Sequence, residues 1–393
     1  MNSFGTFLKF STFGESHGKA IGVLIDNYPA GIKIDIDYIN LLLKRRQGGG
    51  ALSTPRKEAD EINILSGVFN GVSTGASICV IVENNNARSK DYKEIFRPAH
   101  ADFSYFAKYE NFDYRGGGRS SARESVARVI AGAFADFILK EFNIRTYASL
   151  CAVGGISLDG FKFSESEYQK ALSEDLNALG FVSMFIDEIT RAKKQHDSVG
   201  ASISVAAFGV FAGLGETLYD KLDAKIASAF MGLNAVKAVE IGAGKDLAKM
   251  NGSVANDEFL CVTNCEKKQI NSNIFKTNTQ ISNFSYANAN PKKPLFLHTK
   301  NNFSGGIMGG ISTGETIYIK VHFKPTPSIF KEQSMINKNL KIVKDTLVGR
   351  HDPCVGVRAC VILKSMLSFI LADFLMLNSC AKIENLKKIY KGE

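Results

Sequence analysis

The sequence of 393 residues lacks the segments that mark a membrane or secreted protein. No apolar run reaches the roughly 18 residues that a membrane-spanning helix needs. The nearest is 361–377, which Lys364 and Asp373 interrupt and which we predict to be a buried C-terminal helix. The N-terminal residues show no basic start followed by an apolar run, so we expect no signal peptide. These absences favour a cytoplasmic protein without a membrane partner.

The cysteines form no CxxC pair. They number seven and are scattered along the chain, which is typical of reduced thiols rather than of a disulfide framework. Cys261 and Cys265 have the loose spacing of metal ligands, but no second pair and no histidine lies near them in the sequence. We therefore expect no metal site.

The sequence also lacks any block of five or more like charges, although 48 basic residues outnumber 39 acidic ones for a net charge of +9. A nucleic-acid-binding tail is therefore not indicated. The aromatic residues between 92 and 114 do not alternate as they would on an exposed RNA-binding strand, so we expect no nucleic-acid partner. A dispersed positive excess equally suits a small anionic substrate.

Several catalytic signatures are missing as well. No nucleophile elbow, Walker loop, zinc signature or GxGxxG motif occurs in the sequence. The absence of GxGxxG after a strand argues against a Rossmann-type dinucleotide site. It does not exclude a flavin phosphate held by another loop rich in glycine or arginine.

What the sequence does contain is RGGGRSSARES at 115–125, followed by a helical pattern. Consecutive glycines permit positive φ angles and let backbone N–H groups approach a ligand closely. A helix N-terminus adds unpaired donors, and arginine side chains match the oxygens of phosphate or carboxylate groups. This stretch therefore predicts an anion site. The alternative is a capped glycine-rich turn with its arginines in solvent.

Apolar periodicity predicts strands and helices that do not alternate strictly, so we do not expect a plain Rossmann sheet. Strands are predicted at 8–13, 21–32, 75–83, 144–156, 201–211, 235–241 and 316–323. Helices are predicted at 35–46, 121–142, 216–231 and 332–346, with a last helix to about 378. Asp35 or Asp37 should cap the first helix, and Ser121 with Glu124 fits a capping box.

The domain organisation predicted from the sequence is a single domain over 1–393, because no clear linker divides the chain. Residues 262–300 are rich in asparagine, serine and lysine and show little periodicity. We predict that they form a surface insertion, partly disordered.

Two histidines, His17 and His100, fall in predicted loops beside glycine, serine or arginine. An imidazole titrates near pH 6.5, so each could donate a proton near neutrality. A plain surface position is the alternative for each. Asp352 lies between His351 and Pro353. It could be a structural ion-pair partner or a carboxylate that orients a proton carrier, and the local sequence does not decide between these roles.

Arginines recur at the ends of predicted loops, which suggests a convergent cluster for a ligand with several negative groups. These arginines are Arg45, Arg46, Arg115, Arg119, Arg123, Arg350 and Arg358. Solvation is the default role for each one taken alone.

Seven of these stretches together resemble the chorismate synthase family. The longest are GESHG (14–18), DYRGGGRSSARES (113–125) and GRHDPCVGVRA (349–359). HAD (100–102), NAVKAVEIG (234–242), GGIMGGIS (305–312) and KPTPS (324–328) also match the family's pattern and order. The resemblance extends from the first residues to about 378.

The resemblance implies an α+β fold, a β–α–β sandwich with helices packed between two antiparallel sheets, assembled as a homotetramer. The implied reaction is the anti 1,4-elimination of phosphate from 5-enolpyruvylshikimate 3-phosphate to give chorismate. It requires reduced FMN (FMNH2) although no net redox change occurs, with NADPH only as an indirect reductant. The runner-up activity is another flavin- or phosphate-binding enzyme, such as a flavin reductase.

The resemblance also implies roles for residues. His17 would protonate the departing phosphate, His100 would protonate the flavin N1/O2 edge, and Asp352 would assist proton transfer at flavin N5. Implied FMN contacts are Arg119, Ser120, Ser121, Asn234, Ala235, Gly309, Lys324, Pro325, Thr326, Pro327, Ser328 and Arg350. Implied substrate contacts are Ser16, Arg45, Arg46, Arg123 and Arg358, and Arg46 also matches a position assigned to NADPH.

The chain departs from the family pattern at Leu52. Many members carry a second arginine there, about six residues beyond the one that matches Arg46. Arg56 lies close enough in the sequence to be a substitute.

Overall fold

The structure, a computed structural model, describes most of the chain. The described residues are 2–47, 52, 60–85, 94–111, 113–174, 176–264, 290, 292–347 and 351–392. The expected flavin contact Arg350 lies outside them, as do Arg56 and Cys265.

Strands and helices follow one another along the chain in an irregular order. The strands are β1 (Ser3–Phe4), β2 (Lys9–Gly14), β3 (Ala20–Asp26), β4 (Ile62–Ser66), β5 (Val68–Phe69), β6 (Val72–Ser73), β7 (Ile78–Glu83), β8 (Ile95–Phe96), β9 (Arg145–Val153), β10 (Ile156–Ser157), β11 (Ala201–Phe208), β12 (Val236–Ile241), β13 (Phe259–Thr263), β14 (Phe296–Thr299), β15 (Ile307–Met308), β16 (Ile311–Ser312), β17 (Ile317–Phe323), β18 (Glu332–Asn337) and β19 (Ile342–Thr346). The helices are α1 (Ile36–Arg46), α2 (Asp102–Tyr109), α3 (Ser125–Glu141), α4 (Glu165–Ser173), α5 (Val182–Lys194), α6 (Leu222–Met231), α7 (Gly252–Ala255), α8 (Gly356–Asn378) and α9 (Ile383–Lys391).

Two antiparallel sheets form the frame of the molecule. Their strand orders are β1-β2-β3-β7-β4 and β10-β9-β11-β17-β12. In β7, the buried residues Ile78, Val80 and Val82 alternate with more exposed ones, as expected for a sheet with one face on the core. In β11 nearly every residue is buried, because a second apolar cluster around Tyr168 of α4 covers part of its outer face.

Helices fill the space between the two sheets. Helix α3 packs on β2 and β3, α8 packs on β9 and β11, and the two helices pack on each other. A Cβ atom on Gly132 of α3 would lie 2.3 Å from the Cβ of Ser365 in α8, so glycine allows this close approach. The predicted sandwich with helices between two antiparallel sheets is confirmed.

Helix α8 is the central apolar element, and the predicted buried C-terminal helix is confirmed. Among the described residues it alone is long and apolar enough to cross a membrane, yet 78% of its most apolar window is buried inside the protein. Its two interior charges have partners. Lys364 forms an ion pair with Asp136, and Asp373 accepts backbone N–H bonds of 2.7–2.9 Å from residues 6–8. The charges are therefore compatible with burial.

Most of the predicted elements are present with shifted ends. The first helix is capped as expected, since Asp35 accepts a 3.0 Å hydrogen bond from the backbone N–H of Tyr38. The predicted capping box of Ser121 and Glu124 is wrong. Ser121 accepts instead from the N–H of Arg123, and two 3-10 turns precede α3. The carboxylate of Glu124 is used elsewhere, by Thr12 and Arg128.

The predicted helix at 332–346 is also wrong, because β18 and β19 form an antiparallel hairpin there. The side chain of Asn337 accepts backbone N–H bonds from Asn339 and Lys341, both at 3.0 Å, and so closes the turn. Asparagine favours such turns over helix interiors, and this signal should have outweighed the prediction of a polar helix.

The segment predicted as an insertion, 262–300, is described only at its ends. Phe296–Thr299 forms the buried strand β14, paired with β13, so the expected surface excursion is wrong for those residues. Residues 265–289 and 291 lie outside the described part of the chain. Helices α2, α4 and α5 were not expected from the sequence.

Candidate active site

The RGGGRS stretch folds as a 3-10 turn over Arg115–Ser120. Gly117 and Gly118 have φ angles of +83° and +49°, in the region that favours glycine. A Cβ on Gly118 would lie 2.6 Å from the carbonyl oxygen of Asp113. A Cβ on Gly117 would lie 3.2 Å from Cε1 of His100. Glycine therefore lets the turn close and lets the His100 ring lie against it.

His100 has a carboxylate beside it. Its Nδ1 lies 2.7 Å from Oδ1 of Asp102, the first residue of α2. Arg97 donates from Nε and Nη2 to the same carboxylate at 2.7 and 2.8 Å. Burial by itself raises the pKa of Asp102, but the hydrogen bonds from Arg97 and His100 outweigh it and hold that pKa well below its usual range. Asp102 is therefore ionised beside His100.

The turn that carries His17 docks on the same glycine loop. Buried Ser16 donates from its backbone N–H to Gly118 O at 3.4 Å and from Oγ to Arg115 O at 3.3 Å. Hydrogen bonds from Arg115 lower the pKa of Asp113, and His17 acts in the same direction. His17 and His100 thus lie at one loop although they are far apart in the sequence.

Two of the expected substrate arginines meet at a carboxylate that the sequence analysis missed. Asp60 accepts from Nη2 of Arg46 at 2.7 Å and also from Nη1 of Arg123. The three side chains are 0–3% exposed. Burial raises the pKa of Asp60, but the two arginines outweigh it and lower that pKa overall. Burial also lowers the pKa of Arg46, to about 10.

Arg358 extends this cluster toward Asp352. Its Nε donates to the backbone oxygen of Arg46 and its Nη1 to Oδ2 of Asp352, both at 2.8 Å. Of the two roles left open for Asp352, the structure shows the ion pair. Arg45 lies apart from Asp60. It lines a surface groove of about 1630 Å³ together with Tyr38, because consecutive helix residues point in different directions.

The segments expected to contact flavin meet on the other side of the glycine loop. Asn234 donates from Nδ2 to the backbone oxygen of Ser120 at 2.6 Å. The backbone N–H of Lys324 donates to Ala235 O at 2.9 Å, and its ammonium group donates to the carbonyl of Ala99, next to His100. These contacts join the NAVKAVEIG and KPTPS stretches to the loop.

The buried polar atoms that lack a hydrogen-bond partner among the described residues include two in the expected flavin contacts. Arg119 donates from Nη2 to Thr12 Oγ1 at 2.6 Å, while its buried Nη1 has no partner. The buried hydroxyl of Thr326 has none either. Leaving a buried donor unsatisfied costs about 1–3 kcal/mol, so such atoms are typical of a site that binds an acceptor group. An anionic, oxygen-rich cofactor such as FMN fits this donor set.

The remaining expected flavin contacts lie in two different segments. Pro325, Pro327 and buried Ser328 flank Thr326 in the same segment. Gly309 lies at the β15–β16 turn, where the neighbouring Gly310 accepts a hydrogen bond from the backbone N–H of Leu222, the first residue of α6, and Asn234 follows the other end of that helix.

His351 is a further histidine at the site. Its ring centroid lies 5.6 Å from that of Phe330. Burial lowers its pKa to about 4, with the positive charges of Arg97 and His100 acting in the same direction and Asp352 opposing. The folded protein therefore favours neutral His351.

This shift predicts a pH dependence of stability. In the unfolded chain His351 takes up a proton near pH 6.5, whereas in the folded protein it stays neutral until about pH 4. Neutral His351 therefore costs the folded state nothing above pH 6.5, and the folded state loses stability relative to the unfolded chain as the pH falls from 6.5 toward 4. Between pH 7.5 and pH 5 the free energy of unfolding should fall by about 2 kcal/mol more in the wild type than in His351→Asn. Urea unfolding at both pH values measures this, with His196→Asn, at an exposed histidine, as the control. Equal losses in wild type and His351→Asn would contradict it.

Comparisons with known proteins agree with this architecture. The family model described as chorismate synthase matches residues 8–376. The chorismate synthases of Campylobacter jejuni and Campylobacter lari are 47% and 46% identical to this chain, and each comparison covers 99% of both proteins. The chain belongs to the chorismate synthase family. A solved structure described as a crystal structure of chorismate synthase matches with a TM-score of 0.71 and 27% identity, covering 99% of this chain and 98% of the other.

Membership of the chorismate synthase family makes the chain a carbon–oxygen lyase that acts on phosphates. Residues of the GESHG and HAD motifs, Ser16 and His100, lie against the RGGGRS loop. The residues that the sequence analysis missed are three aspartates, Asp60, Asp102 and Asp113. Asp102 and Asp113 had a local signal, since they belong to the HAD and DYRGGGRSSARES stretches, whereas Asp60 had none.

Proposed function

We propose that this enzyme converts 5-enolpyruvylshikimate 3-phosphate to chorismate by anti 1,4-elimination of phosphate, with reduced FMN and no net redox change. This is the last common step of the shikimate pathway, which leads to the aromatic amino acids. The observation that carries the proposal is one loop, Arg115–Ser120. It joins two histidine-bearing segments to Arg119, whose buried Nη1 lacks a partner among the described residues.

His17 would act as the acid for the departing phosphate. Its turn is fixed to the glycine loop through Ser16, and Asn84 donates to Glu15 O and Gly18 O at 2.9 Å, which closes the turn. A proton donor needs such fixed placement, because proton transfer requires hydrogen-bond reach.

Arg123 and Arg358 would attract the phosphate and carboxylates of the substrate. With Arg46 they supply three guanidinium groups against the carboxylates of Asp60 and Asp352, so the cluster keeps a positive excess. Arg46 itself is 1% exposed and would serve by holding Asp60 and Arg123 rather than by touching substrate or NADPH.

FMN would be held by Arg119, Ser120 and Ser121 together with Asn234, Ala235 and Lys324–Ser328. When bound in reduced form it supplies electron density that eases departure of the phosphate and accepts the hydrogen from C6. His100 would exchange a proton at the flavin N1/O2 edge. Asp352, paired with Arg358, would hold charge near N5 and keep Arg358 in place.

The test is an anaerobic assay of the purified enzyme with the phosphorylated substrate. With dithionite-reduced FMN, phosphate and chorismate should appear in equal amounts. With oxidised FMN, release should be near background. Phosphate release that is equally fast with oxidised flavin would contradict the proposal.

The family also suggests the oligomeric state of the enzyme and the source of its reduced flavin. We propose a cytoplasmic homotetramer formed by one catalytic domain over 1–393, with an insertion inside 262–300. Reduced flavin would come from a separate reductase, with NADPH as an indirect source of electrons. Light scattering on the purified protein measures the assembly, and a mass of four times 42.9 kDa is expected.

A further inference from the structure

The carboxylate of Asp102 is one of the closest described neighbours of the His100 ring. Oδ1 of Asp102 lies 2.7 Å from Nδ1 of His100 and is buried, with the residue 6% exposed. Arg97 is a second neighbour, with Nη2 at 3.1 Å from the same ring nitrogen. One ring nitrogen cannot both donate to a carboxylate and accept from a guanidinium group.

The geometry favours donation to Asp102. Arg97 already directs Nε and Nη2 at the Asp102 carboxylate at 2.7 and 2.8 Å, so its donors have a charged acceptor. The contact from Nδ1 to the carboxylate is also the shorter one. His100 in its neutral form therefore carries its proton on Nδ1 and leaves Nε2 as the acceptor.

The ring is held from a second side by the glycine loop. A Cβ on Gly117 would lie 3.2 Å from Cε1, the carbon bonded to both ring nitrogens. The Cε1 edge of the ring therefore lies against the loop that carries Arg119 and Ser120, while Nδ1 is directed at Asp102, and Nε2, bonded to Cε1, is the ring nitrogen left for a ligand at that loop. Among the charged groups described near the ring, His351 also interacts electrostatically with His100.

We propose that Asp102, itself anchored by Arg97, is a positioning residue that keeps a proton on Nδ1 of His100 and presents Nε2 to the ligand bound at the glycine loop. The imidazolium form of His100 gives its Nε2 proton to the bound group and becomes neutral with Nδ1 still protonated, and Nε2 takes the proton back from that group later. This inference rests on the proposed function, because that function gives His100 its proton-transfer role.

A purely structural role for Asp102 makes different predictions. Asp102 also accepts the backbone N–H of Arg97 at 3.1 Å, so its loss could disturb the 97–102 turn without any effect on ring protonation. Asp102→Asn preserves the shape and an acceptor oxygen. It removes the charge and adds an N–H that can donate to Nδ1.

The first measurement is ¹⁵N NMR of the imidazole nitrogens in the protein without flavin. In the wild type, neutral His100 should be protonated on Nδ1. In Asp102→Asn, a substantial fraction should be protonated on Nε2 instead. His100 protonated on Nδ1 to the same extent in both proteins would overturn the proposal. Arg97→Gln, which leaves the Asp102 carboxylate in place, should retain the Nδ1 proton, and it serves the same test if Asp102→Asn fails to fold.

The second measurement is a double-mutant cycle on turnover. Asp102→Asn should lower kcat about 10-fold or more with KM nearly unchanged, as part of the general acid–base contribution. In a His100→Asn background the same substitution should have no further effect. Equal effects in both backgrounds would overturn the positioning role. A wild type that forms no chorismate would instead refute the proposed function, while the NMR result would still decide the protonation of His100.

Discussion

Replacing His17 by alanine is expected to lower kcat for chorismate formation by about 10²- to 10⁴-fold, the usual range for loss of a general acid. Phosphate would then have to leave without a proton from the enzyme. The arginines and the glycine loop remain in place, so flavin affinity should change less than twofold. Anaerobic steady-state kinetics with reduced FMN measure the first effect, and quenching of flavin fluorescence measures the second.

A matched control is available in His196→Asn, which removes an exposed imidazole at the end of α5. Its kcat should stay within about twofold of wild type, since the imidazole is exposed and asparagine tolerates the φ of +56° at this position. If His17→Ala retained more than a third of wild-type turnover, His17 would not be the acid.

Replacing Asp60 by alanine is expected to lower the free energy of unfolding by about 3–5 kcal/mol, which is typical when one partner of a buried ion pair is removed. Arg46 and Arg123 are 1% and 3% exposed and would lose their shared carboxylate. Asp60→Asn should cost less, because the amide oxygen can still accept a hydrogen bond. Urea unfolding at pH 7 and one fixed protein concentration measures the difference.

The control for this prediction is Asp246→Ala. Asp246 also pairs with a cation, Lys249 at 2.7 Å, but both side chains are more than half exposed. Exposed pairs contribute about 0–1 kcal/mol, so this variant should unfold almost as the wild type does. A loss below about 1 kcal/mol in Asp60→Ala would show that the buried triad does not stabilise the fold.

Local patterns predicted the fold where periodicity was strong. The strands β7 and β17 were predicted correctly because apolar and polar residues alternate in a sheet with one buried face. The helix α8 was predicted correctly because a helix buried on all sides has a long apolar run. The 332–346 hairpin was missed because its strands are largely exposed and alternate only weakly. The 3-10 turns before α3 were missed because the prediction used Glu124 in a capping box with Ser121. In the structure the Glu124 carboxylate instead accepts hydrogen bonds from Thr12 and Arg128.

The sequence motifs predicted which loops form the site, but they did not predict which charged side chains pair there. Asp60 is 14 residues from Arg46 and 63 from Arg123, so its burial between them is a consequence of the tertiary fold. The separation of Arg45 from Arg46 follows from helix geometry, but which of the two faces the interior depends on how α1 packs on α3 and α8.

The RGGGRS loop is expected to form part of a flavin site. A crystal structure of the enzyme with oxidised FMN and the phosphorylated substrate tests it most directly. We expect FMN oxygens to accept hydrogen bonds from Nη1 of Arg119 and the hydroxyl of Thr326, with His100 beside the flavin and His17 beside the substrate phosphate. FMN bound elsewhere, with Nη1 of Arg119 and the Thr326 hydroxyl still unpartnered, would contradict the account.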